Sequence, residues 1–538
     1  MTNSVNEIES AACIFAIGTN TTVNHPVIGL RVKKAVKNGA KLIVANPKRI
    51  RLCHFADIWL RQRPGTDVVL LMGMMRVIVD KNLVDEAFVK ERCENYEAFK
   101  ESLAKFDLDF VEKITGVPRE QVTAAAEIYA TTKPGSILYA MGITQHTHGT
   151  DNVLAVGNLA MLTGNVGKPS SGVNPLRGQN NVQGACDMGG LPNVFTGYQS
   201  VTDEALREKF GKAWKSSLSP KVGITLMEML NAAGEGKVRA MYIMGENPML
   251  SDPDITHVRH ALESLDFLVV QDIFLTETAQ VADVVLPAAT FAEKDGTFTN
   301  TERRVQRIRK AIEPIGDSRP DWQIISDIAT RMGRDDFSYE SAEDIFKEIA
   351  QLTPQYAGMS YERLEDGGLQ WPCPTKDHPG TPTLHIGRFS RGKGRFMPLE
   401  YKASVETPDE QYPLVLTTDR NRYHYHTGTM TRRVPGLNIL KDQEFVEMNT
   451  KDANALKVDD GEMVKVTSRR GEVLARVRVT DDLPPGTVSM TFHFAESPAN
   501  VLTLPALDPV AKIPAFKVCA VRVEKIVTAR TGSSKTRS

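Results

Sequence analysis

The chain has 538 residues, of which 41% are hydrophobic and 24% are charged, and its 39 glycines and 29 prolines are ordinary for a globular protein. This composition excludes a disordered or collagen-like chain, and the length suggests about three or four domains. With 65 basic and 66 acidic residues the formal net charge is −1, so no overall field favours nucleic acid or an anionic membrane.

The first predicted elements form a β–α–β unit. Residues 12–17 predict a buried strand that ends at Gly18-Thr19-Asn20, a helix follows Pro26, and residues 42–45 predict a second strand. A similar run comes later, with a strand over 240–244, the turn Gly245-Glu246-Asn247-Pro248, a helix near 255–265 and a strand over 267–270.

The two Gly-x-Asn turns occupy matching places in these two units. We interpret them as a structural duplication that produces two α/β lobes, each with a ligand-binding crevice at its strand ends. Units of this kind recur in most α/β proteins, so this feature alone leaves chance similarity open. Neither turn has the later glycines of the dinucleotide fingerprint, which disfavours a simple NAD dehydrogenase.

A polar, glycine-rich segment over residues 172–190 separates the two predicted units. It shows neither helical nor strand periodicity and is rich in Asn and Gln. Apolar burial cannot hold such a segment together, so its polar groups need partners. A large polar ligand is the interpretation we favour, and an ordinary surface loop is the alternative.

Two His-x-His pairs stand out, His146 with His148 and His424 with His426. On a strand each pair would face one side, as a metal site requires, but no third ligand is near. Hydrogen bonding to a polar ligand or to the backbone is the favoured interpretation. The six cysteines are far apart and form no C-x-x-C, so local spacing predicts neither a thiolate zinc site nor an iron–sulfur cluster, and it suits a reducing compartment.

From Tyr412 onward the pattern changes to short strands separated by turn signals. Strands are predicted over 413–418, 463–467, 474–479 and 487–492, which indicates a small β-barrel. Residues 374–398, rich in Gly, Pro, Arg and Lys, are predicted to be a linker that separates the barrel from the preceding lobe. The apolar run over 68–79 is interrupted by Arg76 and is too short to span a bilayer, so no membrane span is expected.

A family resemblance is carried by Leu176-Arg177-Gly178-Gln179-Asn180-Asn181-Val182-Gln183-Gly184-Ala185-Cys186-Asp187-Met188-Gly189. This segment resembles the signature of the catalytic (alpha) subunits of formate dehydrogenases, molybdopterin oxidoreductases that bind two molybdopterin guanine dinucleotides. Matches follow in order to about Glu524, among them Leu162-Thr163-Gly164-Asn165, Val270-Gln271-Asp272-Ile273-Phe274, Ala282-Asp283-Val284-Val285-Leu286-Pro287 and Asn449-Thr450-Lys451-Asp452-Ala453.

The resemblance implies an α/β fold with two homologous, doubly wound parallel-sheet lobes and a C-terminal β-barrel. It places the first dinucleotide-binding lobe at residues 1–179 and the second, with inserted segments, at 180–398. The dinucleotide-binding barrel would occupy 399–526, and residues 527–538 are expected to be a disordered tail.

The resemblance also implies cofactor-binding residues in this chain. They are Asn20, Asn46, Gly65, Thr66 and Asp67 in one crevice, Gly245, Glu246, Asn247, Gln271 and Asp272 in the other, Met141, Gln145 and Gln179 near the pterins, and Arg420, His424, Asn500 and Lys517 from the barrel. Amides and carboxylates suit guanine, whose N1–H and N2 amino group are donors. Relatives often carry Asp where this chain has Asn46, which weakens one charge-assisted contact. Asp67 has an alternative role as a helix cap.

Arg177 is the residue that the resemblance places nearest the chemistry. Formate is a small anion, and a fixed guanidinium beside the metal can orient it bidentately and stay charged. The alternative is that Arg177 ties its own loop to an Asp.

Two features of the family are absent from the sequence. Relatives have an N-terminal cysteine motif for a [4Fe-4S] cluster, followed by the Cys or selenocysteine that ligates the metal. We therefore expect the cluster on a missing N-terminal part, no metal ligand in this chain, and inactivity of the chain alone. It would be the downstream fragment of a selenoprotein whose UGA codon was taken as a stop. A naturally split or degenerate subunit is the alternative.

The expected reaction is the two-electron oxidation of formate to carbon dioxide at molybdenum or tungsten. Electrons would pass through the cluster to an electron-acceptor subunit or iron–sulfur protein, and a cytoplasmic location is expected. One alternative is a related enzyme such as nitrate reductase. Another is a non-catalytic electron-transfer scaffold, as in the large subunit of respiratory complex I.

Overall fold

The computed structural model describes residues 1–526, which form two α/β units followed by a closed barrel. The predicted disordered tail, residues 527–538, lies outside the described residues. No helix within residues 1–526 is long and apolar enough to cross a membrane.

The first unit is built on a five-stranded parallel sheet. Its elements are β1 (Cys13–Ile17), α1 (Thr21–Asn24), α2 (Pro26–Lys37), β2 (Lys41–Ala45), β3 (Ile58–Leu60), α3 (Asp67–Asp80), α4 (Glu86–Arg92), β4 (Cys93–Glu94), α5 (Tyr96–Ser102), α6 (Leu108–Thr115), α7 (Arg119–Thr131), β5 (Gly135–Tyr139), α8 (Met141–Thr144), α9 (Gly149–Leu162) and β6 (Gly172–Pro175). The strand order is β3-β2-β1-β5-β6. The predicted β–α–β unit is confirmed as β1, α2 and β2.

Both faces of this sheet are buried, as is usual for a parallel sheet. Alternate residues of β1 point to opposite sides, so Phe15 packs with α3, α7 and α9 while Ile14 packs with α2. Helix α3 is apolar all round and 11 of its 14 residues are buried, including its first residue, Asp67. The core therefore carries the carboxylate of Asp67 to a position where water has little access.

The second unit contains a smaller parallel sheet in the order β11-β10-β9. Its elements are α10 (Val182–Asp187), β7 (Val194–Phe195), β8 (Gln199–Ser200), α11 (Glu204–Ala213), α12 (Leu226–Gly234), β9 (Ala240–Met244), α13 (Pro248–Ser251), α14 (Ile255–Glu263), β10 (Phe267–Asp272), β11 (Val284–Pro287), β12 (Gly296–Thr299), β13 (Arg304–Ile308), α15 (Asp321–Arg331), α16 (Ala342–Leu352), β14 (Leu369–Gln370) and β15 (Gly394–Arg395). Helices α12 and α14 cover one face, while Tyr242, Met244 and Phe267 on the other face are each more than 40% exposed.

The first strands of the two units repeat one another. Gly18 after β1 and Gly245 after β9 both have positive φ, +57° and +65°, so each chain turns at the same point. Asn20 and Asn247 then precede the four-residue helices α1 and α13 with nearly equal backbone angles, φ −118° and ψ 76° against φ −124° and ψ 68°. The predicted duplication is therefore visible in the backbone.

The glycine-rich segment is more ordered than its lack of periodicity indicates. It contains β6, which pairs with β5, and the short helix α10. Its amides are largely bonded to protein groups, since Asn174 Nδ2 donates to Ser136 Oγ at 2.9 Å and Asn181 Oδ1 accepts from the backbone of Thr299 at 2.8 Å. Many of the partners that this segment needs are thus supplied from distant parts of the chain.

The predicted linker over 374–398 is not a simple spacer, which corrects the sequence-based expectation. Strand β15 pairs with β4 of the first unit. Phe396 is fully buried there and stacks on Phe99 with ring centroids 4.9 Å apart. The segment therefore anchors the chain on the first unit before it enters the barrel.

The C-terminal part is a closed six-stranded barrel in the order β16-β20-β17-β19-β18-β23. Its elements are β16 (Leu414–Asp419), α17 (Pro435–Leu440), β17 (Phe445–Met448), α18 (Thr450–Leu456), β18 (Met463–Thr467), β19 (Glu472–Val479), β20 (Thr487–Thr491), β21 (Leu504–Leu507), β22 (Pro514–Ala515) and β23 (Cys519–Lys525). Buried and exposed residues alternate along β19, so Val473, Ala475 and Val477 fill the interior. The predicted barrel is confirmed.

Close backbone contact between Gly18 and Gly142 joins the ends of β1 and β5. The Gly142 N–H donates to the Gly18 carbonyl at 3.0 Å, and a Cβ on Gly142 would lie only 2.6 Å from that oxygen. We predict that Gly142→Ala lowers the free energy of unfolding by about 1–3 kcal/mol, because neither backbone can move without disturbing the sheet. Urea unfolding followed by circular dichroism measures this change.

Gly157→Ala is the matched control, because a Cβ at this position in α9 meets no atom within 4 Å. It should leave stability unchanged or raise it by up to about 1 kcal/mol through better helix propensity. Equal effects of the two substitutions would contradict the role of the contact.

Candidate functional site

The first candidate site is a cleft between the strand ends of the first sheet and the barrel, with a volume of about 390 Å³. The turns after β1 and β2, the start of α3 and the start of α8 form one wall, and the loop after β16 forms the other. Eight of the residues predicted from the family resemblance line it: Asn20, Asn46, Gly65, Asp67, Met141, Arg420, His424 and Lys517.

The first cleft contains buried polar atoms that need partners. Thr19 Oγ1, His25 Nδ1, Gln62 Oε1 and Asn421 Nδ2 line it and have no hydrogen-bond partner within residues 1–526. Buried polar atoms are normally paired in folded proteins. The cleft therefore suits a ligand with both donors and acceptors. None of these four residues was predicted from the sequence.

Lys48, which was not predicted either, joins the first unit to the barrel at the wall of the cleft. Its Nζ lies 2.9 Å from Asp419 Oδ2 and 2.5 Å from Glu447 Oε2. Burial alone would lower the pKa of Lys48, but the two carboxylates outweigh burial and raise it. The ammonium group therefore stays charged and holds the outer face of the barrel against the turn after β2.

Asp67 lies at the start of α3, where the positive end of the helix favours a carboxylate. Gln62 Nε2 donates to its Oδ1 at 3.0 Å, and His146 Nε2 is 3.9 Å from its Oδ2. Burial raises the pKa of Asp67 to about 6. Asp67 is the first helical residue and Thr66 is the N-cap, so the alternative role of Asp67 as the cap itself is not the one observed.

Neither His-x-His pair lies on a strand. His146 Nε2 contacts the Gly142 carbonyl at 2.9 Å, and His424 Nε2 contacts the Lys441 carbonyl at 2.6 Å. Throughout the described range 1–526, no three His, Cys, Asp or Glu side chains are grouped as metal ligands. One histidine of each pair, His146 and His424, therefore bonds to the backbone, whereas both ring nitrogens of His148 lack a hydrogen-bond partner within residues 1–526.

The second candidate site is a cleft at the strand ends of the second sheet, with a volume of about 530 Å³. All five residues predicted for this lobe line it together with Gln179, and so do Lys294 and Asp321, which were not predicted. Gln271 is held by Tyr242 and by Asp321, whose Oδ1 accepts from Gln271 Nε2 at 2.6 Å. Burial raises the pKa of both Glu246 and Asp272.

The two clefts meet at the glycine-rich segment. Leu176 and Gly178 line the first cleft, whereas Gln179 lines the second, so the backbone of Arg177 lies between them. Tyr425 lines both clefts, and its hydroxyl accepts from the Asn180 N–H at 2.8 Å. The second His-x-His motif was the only sequence signal for this contact.

Four predicted residues do not line either cleft. Thr66 Oγ1 turns inward to the Arg63 carbonyl at 2.7 Å, and Asn500 Nδ2 donates to the carbonyls of Leu250 and Ser251 at 3.0 and 2.9 Å. These amide and hydroxyl groups are already used by the protein. The other two, Gln145 and Arg177, lie in segments next to lining residues.

Comparison with known proteins gives a consistent result. Residues 1–331 match the family model "Molybdopterin oxidoreductase" and residues 414–520 match "Molydopterin dinucleotide binding domain". The chain is 52% identical over 529 residues to "F420-dependent formate dehydrogenase subunit alpha" of Methanocaldococcus jannaschii, covering 98% of this chain and 78% of that protein. It is 42% identical over 537 residues to "Formate dehydrogenase H" of Escherichia coli, covering 98% and 75%.

The solved structure of acetylene hydratase from Pelobacter acetylenicus is similar, with a TM-score of 0.77 and 21% identity over 97% of this chain and 81% of that one. This likeness supports the fold alone.

The raised pKa of Asp67 predicts a pH effect on stability. With an ordinary pKa of 3.8 when unfolded and about 6 when folded, the native chain holds a proton that the unfolded chain releases. The contribution of Asp67 to wild-type stability therefore falls as the pH rises from about 4 to 6. Asp67→Asn lacks this loss, so its stability relative to wild type should rise over that window by up to about 3 kcal/mol in urea unfolding.

Asp109→Asn is the control, since Asp109 also lies in the first turn of a helix but is exposed. Its stability relative to wild type should vary by less than about 0.5 kcal/mol over the same window. If the difference in unfolding free energy between Asp67→Asn and wild type does not change with pH, burial does not raise the pKa of Asp67 as proposed.

Proposed function

The chain belongs to the molybdopterin oxidoreductase family, and we propose that it oxidises formate to carbon dioxide at molybdenum or tungsten held by two molybdopterin guanine dinucleotides. The observation that carries the proposal is the pair of clefts, one in each α/β unit, that meet at Arg177. Two relatives named as formate dehydrogenases, 52% and 42% identical, support formate as the substrate.

The donor set of the clefts fits two guanine dinucleotides. Guanine presents N–H donors that need carboxylate or amide acceptors, and the second cleft offers the carboxylates of Asp272 and Asp321, with the amide of Gln271 bonded to Asp321 beside them. The first cleft offers Asn20 and Asn46 in the equivalent turns, with unpaired buried acceptors beside them. We assign the guanosine ends to these turns, with Gly65, Thr66 and Asp67 in the first and Gly245, Glu246 and Asn247 in the second.

We assign the pterin and pyrophosphate ends to the region between the turns and the barrel. Arg420 and Lys517 supply positive charge there, and Met141, Gln179 and His424 complete the lining. We assign Gln145 and Asn500, which line neither cleft, to supporting positions behind it, since Asn500 bonds to α13 of the second unit. The amide of Asn247 is bonded to Glu277 and Thr278, so we expect it to hold its turn in shape while the backbone faces the ligand. When bound, the metal–pterin group supplies the two-electron redox chemistry.

Arg177 is the residue to which we assign substrate binding. Its backbone is fixed at both ends, because its N–H donates to Thr301 Oγ1 at 3.1 Å and its carbonyl accepts from His25 Nε2 at 2.7 Å. Burial lowers the pKa of His25, which keeps the ring neutral at pH 7 and leaves Arg177 as the cation of this segment. A guanidinium can bind both oxygens of formate and remains charged throughout.

We propose that the [4Fe-4S] cluster and the metal-ligating Cys or selenocysteine lie outside these 538 residues. The six cysteines here are separate free thiols. Electrons would leave through that cluster to an acceptor subunit or iron–sulfur protein, and the free thiols are consistent with a cytoplasmic location. The intact mass of the protein from its source tests this, since a mass well above 59.4 kDa is expected and 59.4 kDa would contradict it.

Arg177→Lys should lower kcat/KM for formate about 10- to 100-fold, because it removes a bidentate charge-assisted contact that contributes about 1.5–3 kcal/mol. Steady-state kinetics of the complete holoenzyme measure this loss, and metal and guanine contents should not change. Arg76→Lys, at a surface pair with Asp80 on α3, is the control and should stay within about twofold of wild type. Unchanged kinetics for Arg177→Lys would contradict the assigned role.

A further inference from the structure

The guanidinium of Arg177 is held from one side only. Its Nε–H donates to Gln183 Oε1 at 3.1 Å. Its two Nη groups make no hydrogen bond within residues 1–526. An arginine fixed through Nε keeps the fork of its two Nη groups available, and that fork is the part that matches a carboxylate.

Gln183 in turn is held in one orientation. It is 5% exposed, and its Nε2 donates to Asp187 Oδ1 at 2.8 Å and to the Tyr198 hydroxyl at 3.0 Å. Gln183 and Asp187 are four residues apart on α10, so both side chains lie on one side of that helix. Both N–H groups of the amide are therefore used, and its carbonyl faces Arg177.

Asp187 is fully buried and accepts four hydrogen bonds. Besides Gln183, its Oδ1 accepts from Tyr198 at 2.8 Å, and its Oδ2 accepts from the Tyr356 hydroxyl and Trp371 Nε1, both at 2.7 Å. Burial and the Asp187 charge raise the pKa of Tyr356 well above its usual value, so this donor stays protonated. The carboxylate is thus fixed by groups from three separate parts of the chain.

A carboxylate accepts hydrogen bonds and cannot donate them, so this set of contacts has a single possible polarity. Asp187 must face the NH₂ of the Gln183 amide, and the amide must therefore face Arg177 with its oxygen. The amide transmits orientation without placing a negative charge against the guanidinium. A carboxylate in direct contact with Arg177 would repel a substrate anion that binds the same cation.

We propose that Gln183 and Asp187 are positioning residues for Arg177, with the buried carboxylate orienting the amide and the amide orienting the guanidinium so that both Nη groups remain available to the substrate anion. The identity of that anion as formate rests on the proposed function. The series of hydrogen bonds from Asp187 through Gln183 to Arg177 does not depend on the proposed function.

The direct test is hydrogen exchange at Arg177 Nε in the full chain labelled with ¹⁵N-arginine, with the signal assigned by its loss in Arg177→Lys. Gln183→Met, similar in shape but unable to accept the bond, should make this exchange at least tenfold faster. Thr353→Val is the control, since it removes a buried bond to Thr196 nearby and should leave the exchange within about twofold of wild type. Unchanged exchange in Gln183→Met would overturn the proposal.

The double variant Gln183→Glu with Asp187→Asn separates orientation from charge. When the amide and the carboxylate swap positions, every donor in the set still has an acceptor. Protection of Arg177 Nε from hydrogen exchange should therefore return to within about threefold of wild type. The carboxylate now touches Arg177, so the KM for formate in the holoenzyme should rise at least tenfold while kcat changes less. If the double variant folds but does not restore protection of Arg177 Nε, the assigned donor and acceptor directions of these hydrogen bonds are wrong.

These outcomes also separate the inference from the function it rests on. A wild-type holoenzyme that does not turn over formate would contradict the proposed function, whereas the exchange results would still decide the role of Gln183 and Asp187. In contrast, formate turnover combined with Nε exchange that does not respond to Gln183→Met would leave the function standing and contradict the positioning role.

Discussion

The ammonium group of Lys48 lies between Asp419 and Glu447, and this contact fixes the position of the barrel over the first α/β unit. Without a cation, these two carboxylates on the outer face of the barrel would repel each other and hold water between them. Lys48 lies three residues after β2, so the same turn that lines the first cleft also neutralises these two carboxylates. Asp419 is in turn next to Arg420, which lines the cleft. The shape of the first cleft therefore depends on this ion pair.

The barrel reaches the rest of the chain through further specific contacts. Asp508 accepts from the backbone and hydroxyl of Thr150 in the first unit at 2.9 and 2.7 Å, and Asn500 binds two carbonyls of α13 in the second unit. The hydroxyl of Tyr425 binds the glycine-rich segment between the units. These contacts bring two clefts that are far apart in sequence to opposite sides of Arg177. This arrangement suits the proposed function, in which a single substrate anion would be placed where the ends of both ligands meet.

Local sequence patterns identified much of this arrangement. The turns at Asn20 and Asn247 could be predicted because a Gly-x-Asn turn is a property of a few consecutive residues, and the barrel could be predicted from alternation along its strands. Lys48 could not, because its role depends on where the barrel docks. The role of Asp187 could not be predicted for the same reason, because its hydrogen-bond donors lie far along the chain at positions 198, 356 and 371. The alternative to substrate binding in the sequence analysis was an Arg177 that is bonded to an Asp. In the structure Arg177 reaches Asp187 only through Gln183, and this indirect contact is compatible with substrate binding.

We propose that the two repeated turns each hold one guanine nucleotide around a single metal site. The most direct measurement is the guanine and metal content of the purified holoenzyme, by acid hydrolysis with chromatography and by mass spectrometry of the metal. Two guanines and one molybdenum or tungsten ion per chain are the predicted result. One guanine, or none, in a preparation that is active with formate would contradict this assignment of the two turns.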